Sequence, residues 1–210
     1  MLELLQESAP ESQRLLIVGA GAGEEAIALS RSFPLLEAIE PNIDGVALQA
    51  RPLVRQGSAT QLDFPDGSFD IVYCYHVLEH IDRPLLALQE MQRVLKDGGQ
   101  LLVGVPNKHR ILSYVCVGET PWRDKILWNL IDWKARILGR FENRFGAHAG
   151  YTRKELSGDL GRIFPDVRDV TKAYYQLKWP GSLLVQLIGS RELIQEIVWP
   201  SIYFVARKGY

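Results

Sequence analysis

The sequence predicts an α/β fold, in which a mostly parallel sheet carries helices on both faces. Short apolar runs alternate with amphipathic stretches along the chain, as they do where parallel strands are joined by crossover helices. The first apolar run, residues 15–18, continues directly into a glycine-rich turn, which is typical of a strand that leads into a helix. We therefore expect the first five strands at residues 14–18, 36–40, 53–56, 69–75 and 100–105.

Helix starts are predicted from residues that suit the first turn. Glu24 follows the glycine turn, and its carboxylate favours the positive end of a helix. Pro84 is preset for the first turn of a helix over 84–95. Thr152 and Glu155 have the spacing of a capping box, so another helix is expected to begin there.

The last part of the chain completes the predicted sheet. Residues 164–175 resemble a sixth strand, and residues 201–208 are expected to form a final, antiparallel strand. Between them, residues 183–199 are amphipathic and contain three charged residues. Three roles stay open for that stretch: a dimer helix, a lid helix or an element on a membrane surface.

Bulk properties predict one soluble, cytoplasmic domain over residues 1–210. This length suits a single full core, and the net charge of −1 argues against a general polyanion binder such as a nucleic-acid-binding protein. Two cysteines are too few for a disulfide framework. The first residues are acidic where a signal peptide would be basic, and no apolar run approaches the roughly 20 residues that span a bilayer, so stable membrane insertion is not expected.

A glycine turn followed by a strand-end carboxylate predicts a nucleotide-like cofactor. Gly19, Gly21 and Gly23 stand as G-x-G-x-G, and the second strand ends in Glu40. Glycines let the backbone approach a ligand, and a carboxylate at this place can accept both hydroxyls of a ribose. The dinucleotide fingerprint requires G-x-G-x-x-G, so the spacing is a poor fit to a pyrophosphate site.

Two further blocks, residues 57–80 and 90–107, resemble the middle motifs of class I S-adenosylmethionine (SAM) dependent methyltransferases, as does the glycine turn. The similarity is closest to the methyltransferase type 11 branch, which includes ubiquinone-biosynthesis O-methyltransferases. It covers residues 15–107 and, more loosely, 146–156. It implies a Rossmann-like sheet of seven strands, with a helical lid inserted after the fifth strand at residues 107–149.

The resemblance also implies how SAM would be bound. The backbone from Gly19 to Gly23 would lie along its methionine part, and Glu40 would accept the ribose hydroxyls. Two positions depart from the family, which usually has acidic residues where Ile17 and Ser58 stand here. The implied cofactor-binding residues are Gly19, Ala20, Gly21 and Gly23 along the methionine part, Glu40, Pro41, Ser58 and Ala59 near the ribose and adenine, and the backbone of Cys74 and Tyr75 at the amino-acid end.

Histidines are the candidates for catalysis. A hydroxyl acceptor needs a base to become nucleophilic, and histidine has a pKa near working pH. His76 and His80 follow the fourth strand, and His148 lies where the predicted lid rejoins the fold. An alternative is that these three converge with Glu79 on a divalent metal, since two branches of the family have a related Glu-x-x-Glu-His arrangement. No metal is expected, because His76 replaces the first Glu of that arrangement.

The predicted lid is rich in tryptophan and in cations. Trp122, Trp128 and Trp133 lie in it, and they favour an aromatic, lipid-like or natural-product acceptor. The alternative is a surface helix pair that buries these rings on the sheet.

The leading function is transfer of a methyl group from SAM to an oxygen or nitrogen of a small molecule, with S-adenosylhomocysteine (SAH) as product. A homodimer is an open alternative to a single chain. The alternatives are a catalytically weak SAM-binding partner subunit and an RNA 2′-O-methyltransferase. A nicotinamide reductase is disfavoured by the glycine spacing, and also because Tyr151 and Lys154 are one residue too close for its Tyr-x-x-x-Lys pair.

Overall fold

A seven-stranded sheet forms the centre of the computed structural model, which describes residues 13–111, 121–139 and 150–210. The strands are β1 (Arg14–Val18), β2 (Leu35–Glu40), β3 (Val54–Gln56), β4 (Phe69–Tyr75), β5 (Leu95–Pro106), β6 (Asp166–Asp169) and β7 (Ser201–Arg207). Their order across the sheet is β3-β2-β1-β4-β5-β7-β6. Only β7 runs against its neighbours, β5 and β6, which confirms the predicted antiparallel last strand.

Seven helices accompany the strands in the part of the chain that is described. They are α1 (Glu24–Ser30), α2 (Pro84–Val94), α3 (Trp122–Leu138), α4 (Arg153–Gly161), α5 (Thr171–Lys178), α6 (Leu183–Gly189) and α7 (Glu192–Val198). The predicted capping box of α4 is present: the Thr152 hydroxyl accepts from the Glu155 N–H, and the Glu155 carboxylate accepts from the Thr152 N–H. None of these helices is both long and apolar enough to cross a membrane.

Both faces of the sheet are covered, as the sequence predicts. On one face Leu16 and Val72 pack with Leu88 of α2 and Leu156 of α4. On the other face Leu15, Ile17 and Tyr73 pack with Ala26 of α1. Because successive residues of a strand point to opposite faces, a strand buried on both sides needs an unbroken apolar run, which is what β1 has.

Two predicted elements differ from the structure. The predicted strand over 164–175 is wrong beyond Asp169, since β6 ends there and the chain turns into α5. Asp169 accepts a hydrogen bond from the Thr171 N–H at 2.8 Å and so stabilises that turn. The predicted single helix over 183–199 is divided into α6 and α7, and the break falls at Ser190, whose hydroxyl donates back to the Leu187 carbonyl.

Candidate functional site

The strand order reverses its direction at β1, and this places a crevice at the carboxyl ends of β1 and β4. The strand that follows β1 in sequence lies on one side of it, and β4 lies on the other. Ligands of open parallel sheets bind at such a point. A cavity of about 310 Å³ opens there. Its lining residues are Val18, Gly19, Ile39, Pro41, Gly57, Ser58, Ala59, Thr60, Val77, His80, Ile81, Asp82 and Arg83.

The glycine turn is fastened to β2 by backbone hydrogen bonds. The N–H groups of Gly19 and Ala20 both donate to the Ile39 carbonyl, at 2.9 and 3.0 Å. The turn then closes through the Gly23 N–H, which donates to the Ala20 carbonyl at 2.8 Å. The predicted loop is thereby held against one wall of the cavity.

Close contacts explain two of the three glycines in this turn. Gly19 and Gly23 have φ angles of +79° and +89°, and a Cβ on either would come within 2.2 Å of a neighbouring side chain, Val77 and Ala50 respectively. Gly21 also has a positive φ, but a Cβ there would meet open space. The first and third glycines are therefore required by packing, and the middle glycine by backbone conformation only.

Glu40 is oriented by the glycine turn itself. Its Oε2 accepts from the Gly21 N–H at 2.9 Å, and its Oε1 accepts from the Asn42 N–H at 3.2 Å. A carboxylate has about four acceptor positions, so one remains on each oxygen. Two adjacent hydroxyls, such as those of a ribose, need two acceptors side by side, and the two oxygens of Glu40 offer them.

Ser58 is the nearest side-chain acceptor on the adjoining wall. Its Oγ lies 2.9 Å from the Thr60 hydroxyl oxygen and accepts from the Thr60 N–H at 3.3 Å. These local bonds fix the hydroxyl at the cavity, together with Ala59 and Pro41. Ser58 offers a ligand a neutral acceptor, which is weaker than a carboxylate.

Cys74 and Tyr75 end β4 beside the glycine turn but do not line the cavity. The Cys74 side chain is fully buried, and burial together with the nearby Glu79 carboxylate raises the pKa of its thiol. Burial likewise raises the pKa of Tyr75, whose ring stacks on Tyr203. The buried Cys74 thiol is thus withdrawn from the cavity, and a backbone contact of these two residues with a ligand stays a prediction.

A second polar group lies just past the end of β4. His76 has a φ of +53°, which is rare for a residue with a side chain, and its N–H donates to the Gly104 carbonyl at 2.8 Å. Its Nδ1 is 3.4 Å from Glu79 Oε1, and its Nε2 is 3.3 Å from the Ser201 hydroxyl. The Glu79 side chain is only 2% exposed, and neither oxygen has a hydrogen-bond donor in the described structure.

The three candidate histidines fall in different places. His80 lines the cavity together with Ser58, whereas His76 contacts Ser201 at the start of β7. His148 lies outside the described residues. Within residues 13–111, 121–139 and 150–210 no three His, Cys, Asp or Glu side chains are grouped as a metal site requires.

The predicted insertion contains α3, which is fixed to the end of β5. Arg110 donates to Asp132 at 2.8 Å, and both side chains are buried. The Trp133 indole N–H donates to the Ile111 carbonyl at 2.6 Å. The alternative in which the tryptophans are buried on the sheet does not hold for Trp122, whose side chain is 67% exposed.

Some lining residues could not be expected from the motifs. Val77, Asp82 and Arg83 reach the cavity because the chain makes a tight 3-10 turn at Leu78–His80 and returns to it. The only signal for this in the sequence is Pro84, which fixes the start of α2 and limits where the turn can end.

A methyltransferase-domain model matches residues 16–103, which contain β1 to β4 and most of β5. Residues 16–103 are thus similar to a methyltransferase domain. The uncharacterized methyltransferase YcgJ of Bacillus subtilis is 34% identical to it over 105 residues, which are 43% of this chain and 39% of YcgJ. The crystal structure of YcgJ aligns with 100% of this chain and with 97% of the YcgJ chain, at 21% identity and with a TM-score of 0.59, so the two proteins have the same fold.

Two further relatives carry names that state a substrate. Phosphatidylethanolamine N-methyltransferase of Cereibacter sphaeroides is 25% identical over 148 residues, which are 70% of this chain and 60% of that protein. Phosphoethanolamine N-methyltransferase 2 of Haemonchus contortus, solved in complex with SAM, has the same fold, with a TM-score of 0.60 at 16% identity over 100% of this chain and 51% of its own. The chain thus aligns with only 39% and 60% of the lengths of these two curated relatives.

Proposed function

We propose that this chain is a SAM-dependent methyltransferase that acts on an oxygen or nitrogen of a lipid-like or aromatic small molecule. The observation that carries the proposal is the arrangement at Glu40. Its carboxylate accepts from the Gly21 N–H and keeps one acceptor position on each oxygen, and its neighbours in sequence, Ile39 and Pro41, both line the 310 Å³ cavity. A ribose whose base enters the cavity fits that arrangement.

The residues of the cavity suit an adenosine. Pro41 and Ala59 offer apolar contact for a purine ring, and the Ser58 hydroxyl can accept from its amino group. The glycine turn leaves open space beside Gly21, where backbone can lie along an extended chain. SAM, when bound, supplies an electrophilic methyl group on its sulfonium.

His76 is proposed as the base for an acceptor hydroxyl. It follows β4, on the other side of the glycine turn from Ser58 and Ala59, and Glu79 Oε1 lies 3.4 Å from its Nδ1, so the carboxylate orients the imidazole. Positioning supplies most of the remaining rate enhancement, because well-aligned reactants gain roughly 7–11 kcal/mol. An amine acceptor that is already neutral would not need His76.

A lipid-like acceptor is supported by two observations. The relative named phosphatidylethanolamine N-methyltransferase aligns over 70% of this chain. In addition α3, which is fixed to the carboxyl end of β5 by Arg110 and Asp132, exposes large apolar side chains on the same edge of the sheet as the cavity. An acceptor with an apolar part would find a matching surface there.

Transfer of a labelled methyl group tests the proposal. The purified chain is incubated with methyl-labelled SAM and, separately, with phosphatidylethanolamine, a hydroxylated quinol and a simple primary amine. Label is expected in a product of at least one acceptor, and Glu40→Ala is expected to lower that rate at limiting SAM. SAH binding without transfer to any acceptor in a wider panel would contradict the enzyme.

A SAM-binding partner subunit is the second candidate. It is favoured by Ser58 and Ile17, which stand where the family usually has acidic residues, and by the local bonds that occupy the Ser58 hydroxyl. The transfer assay separates the two candidates, because both would bind SAM and SAH in calorimetry, whereas the subunit would transfer no methyl group whether or not acceptor is added.

A further inference from the structure

The helix α3 exposes an unusual amount of apolar surface. Nine of its seventeen residues are large apolar side chains that are exposed to solvent, with Ile137 84% exposed. Exposed apolar patches of this size mark interaction sites on water-soluble proteins. The nine residues are Trp122, Ile126, Leu127, Trp128, Leu130, Ile131, Trp133, Ile137 and Leu138.

These side chains cover a broad face, not a narrow seam. Trp122, Ile126, Leu130, Trp133 and Ile137 recur at spacings of three and four residues and so form one stripe along the helix. A second stripe lies beside it, formed by Leu127, Ile131 and Leu138. A strict seam of one stripe is the mark of a coiled coil, and this face is broader than such a seam.

The apolar face continues onto the body of the protein. Trp133 donates through its indole N–H to the carbonyl of Ile111, and the Ile111 N–H donates to the Ile197 carbonyl at 2.8 Å. Ile111 and Ile197 are themselves exposed. The surface therefore runs from α3 across to α7, and it is not confined to one projecting helix.

Among the side chains of α3 that the structure describes, the fully exposed charges are positive. Arg123 and Lys134 are exposed, and neither has a carboxylate within 4.0 Å in the described part of the chain. Neither acidic residue of the helix is fully exposed, because Asp132 is buried against Arg110 and Asp124 is half-buried. Arg123 lies three and four residues before Ile126 and Leu127, and Lys134 lies three and four residues before Ile137 and Leu138, so the face is apolar with two cations between its stripes.

We propose that this face docks on an anionic lipid surface. Anionic headgroups would neutralise Arg123 and Lys134, and tryptophans such as Trp122 favour the boundary between headgroups and acyl chains. A second copy fits less well, because a two-fold interface places the same face on both partners and would bring cations toward cations without a carboxylate to pair them. Docking would also turn the cavity edge of the sheet toward the membrane. If the proposed function holds, the protein would then take its methyl acceptor from the bilayer.

Vesicle flotation tests the docking without any need for methyl transfer. The full chain is mixed with vesicles of equal parts phosphatidylglycerol and phosphatidylcholine, or of phosphatidylcholine alone. We expect it to float with the anionic vesicles and to be released as salt is raised. Arg123→Glu with Lys134→Glu is expected to weaken binding by roughly 30-fold, and Ile126→Ser with Leu130→Ser to abolish it.

Matched controls change the same chemistry elsewhere. Arg31→Glu with Lys154→Glu makes the same change in net charge at two exposed cations outside α3, and Leu35→Ser with Leu48→Ser removes two exposed leucines near β2. Both are expected to bind vesicles like the unaltered chain. Circular dichroism and SAH binding show that each variant is folded.

Two results would overturn the proposal. One is absence of flotation, or flotation that the α3 variants reduce no more than the controls do. The other is a concentration-dependent dimer in sedimentation velocity that Ile126→Ser with Leu130→Ser dissociates, in a chain that does not float, because a second copy would then cover the face.

Discussion

The carboxylate of Glu79 lies against the imidazole of His76, with 3.4 Å between Oε1 and Nδ1, and it is almost wholly buried. A buried carboxylate without hydrogen-bond donors is costly, and in the described structure the His76 ring is the group that lies against it. The contact fixes the orientation of the imidazole just past the end of β4.

We expect His76→Ala to lower kcat by about 10²- to 10⁴-fold with a hydroxyl acceptor, because the acceptor would lose its base. Glu79→Gln is expected to lower kcat by a smaller factor, since it keeps the shape of the side chain that orients the imidazole and changes only its hydrogen-bonding character. SAH affinity is expected to stay unchanged in both variants. Steady-state kinetics with calorimetry checks this, and the exposed His109→Ala serves as control. A fully active His76→Ala would contradict the role.

Glu40→Ala is expected to weaken SAM and SAH binding by about 2 kcal/mol, or ~30-fold, because it removes a charged acceptor of two hydroxyls. The neighbouring exposed carboxylate Asp44 supplies a control, and Asp44→Ala is expected to bind as the unaltered chain does. Calorimetry with SAH measures both. Equal affinities in the two variants would mean that the ribose does not lie at Glu40.

Ser58→Asp is expected to strengthen SAH binding by about 1 kcal/mol, or roughly fivefold, since charge-assisted hydrogen bonds are about twice as strong as neutral ones. Ser58→Asn has nearly the same shape without the charge, so its gain should be smaller. If Ser58→Asp binds more weakly than Ser58→Asn, the adenine amino group is not at this wall.

Gly19→Ala is expected to lower the free energy of unfolding by roughly 2–5 kcal/mol, because it combines a left-handed backbone with a contact against Val77. Gly21→Ala has the conformational cost without the contact and should lower it by about 1–2 kcal/mol. Chemical denaturation measures both. Adding Val77→Ala to Gly19→Ala should recover part of the loss, and strict additivity of the two changes would refute the contact.

Much of the fold could be predicted because the deciding signals are local. The bounds of β1 and β4 are as predicted, since each is an apolar run that ends at a turn residue. The capping box at Thr152 is a short-range pattern and was also confirmed. The strand expected over 164–175 failed because Tyr174 and Tyr175 pack around Tyr203 from a helix, and aromatic residues suit either element.

The candidate site could be predicted only in part. The glycine turn and Glu40 follow from sequence spacing, but the hydrogen bond from Gly21 to Glu40 needs the pairing of β1 with β2. The separation of His80 from His76 depends on the 3-10 turn after Val77, which turns one histidine into the cavity and leaves the other beside β7. The sequence shows that the two histidines are close along the chain, but it does not show that their side chains face different walls.

A crystal structure of the chain with SAH tests the central claim most directly. The account predicts the adenine in the cavity between Pro41 and Ser58, with both ribose hydroxyls donating to Glu40 and the sulfur near the end of β4. An unoccupied cavity at saturating SAH, or SAH bound at another edge of the sheet, would contradict it.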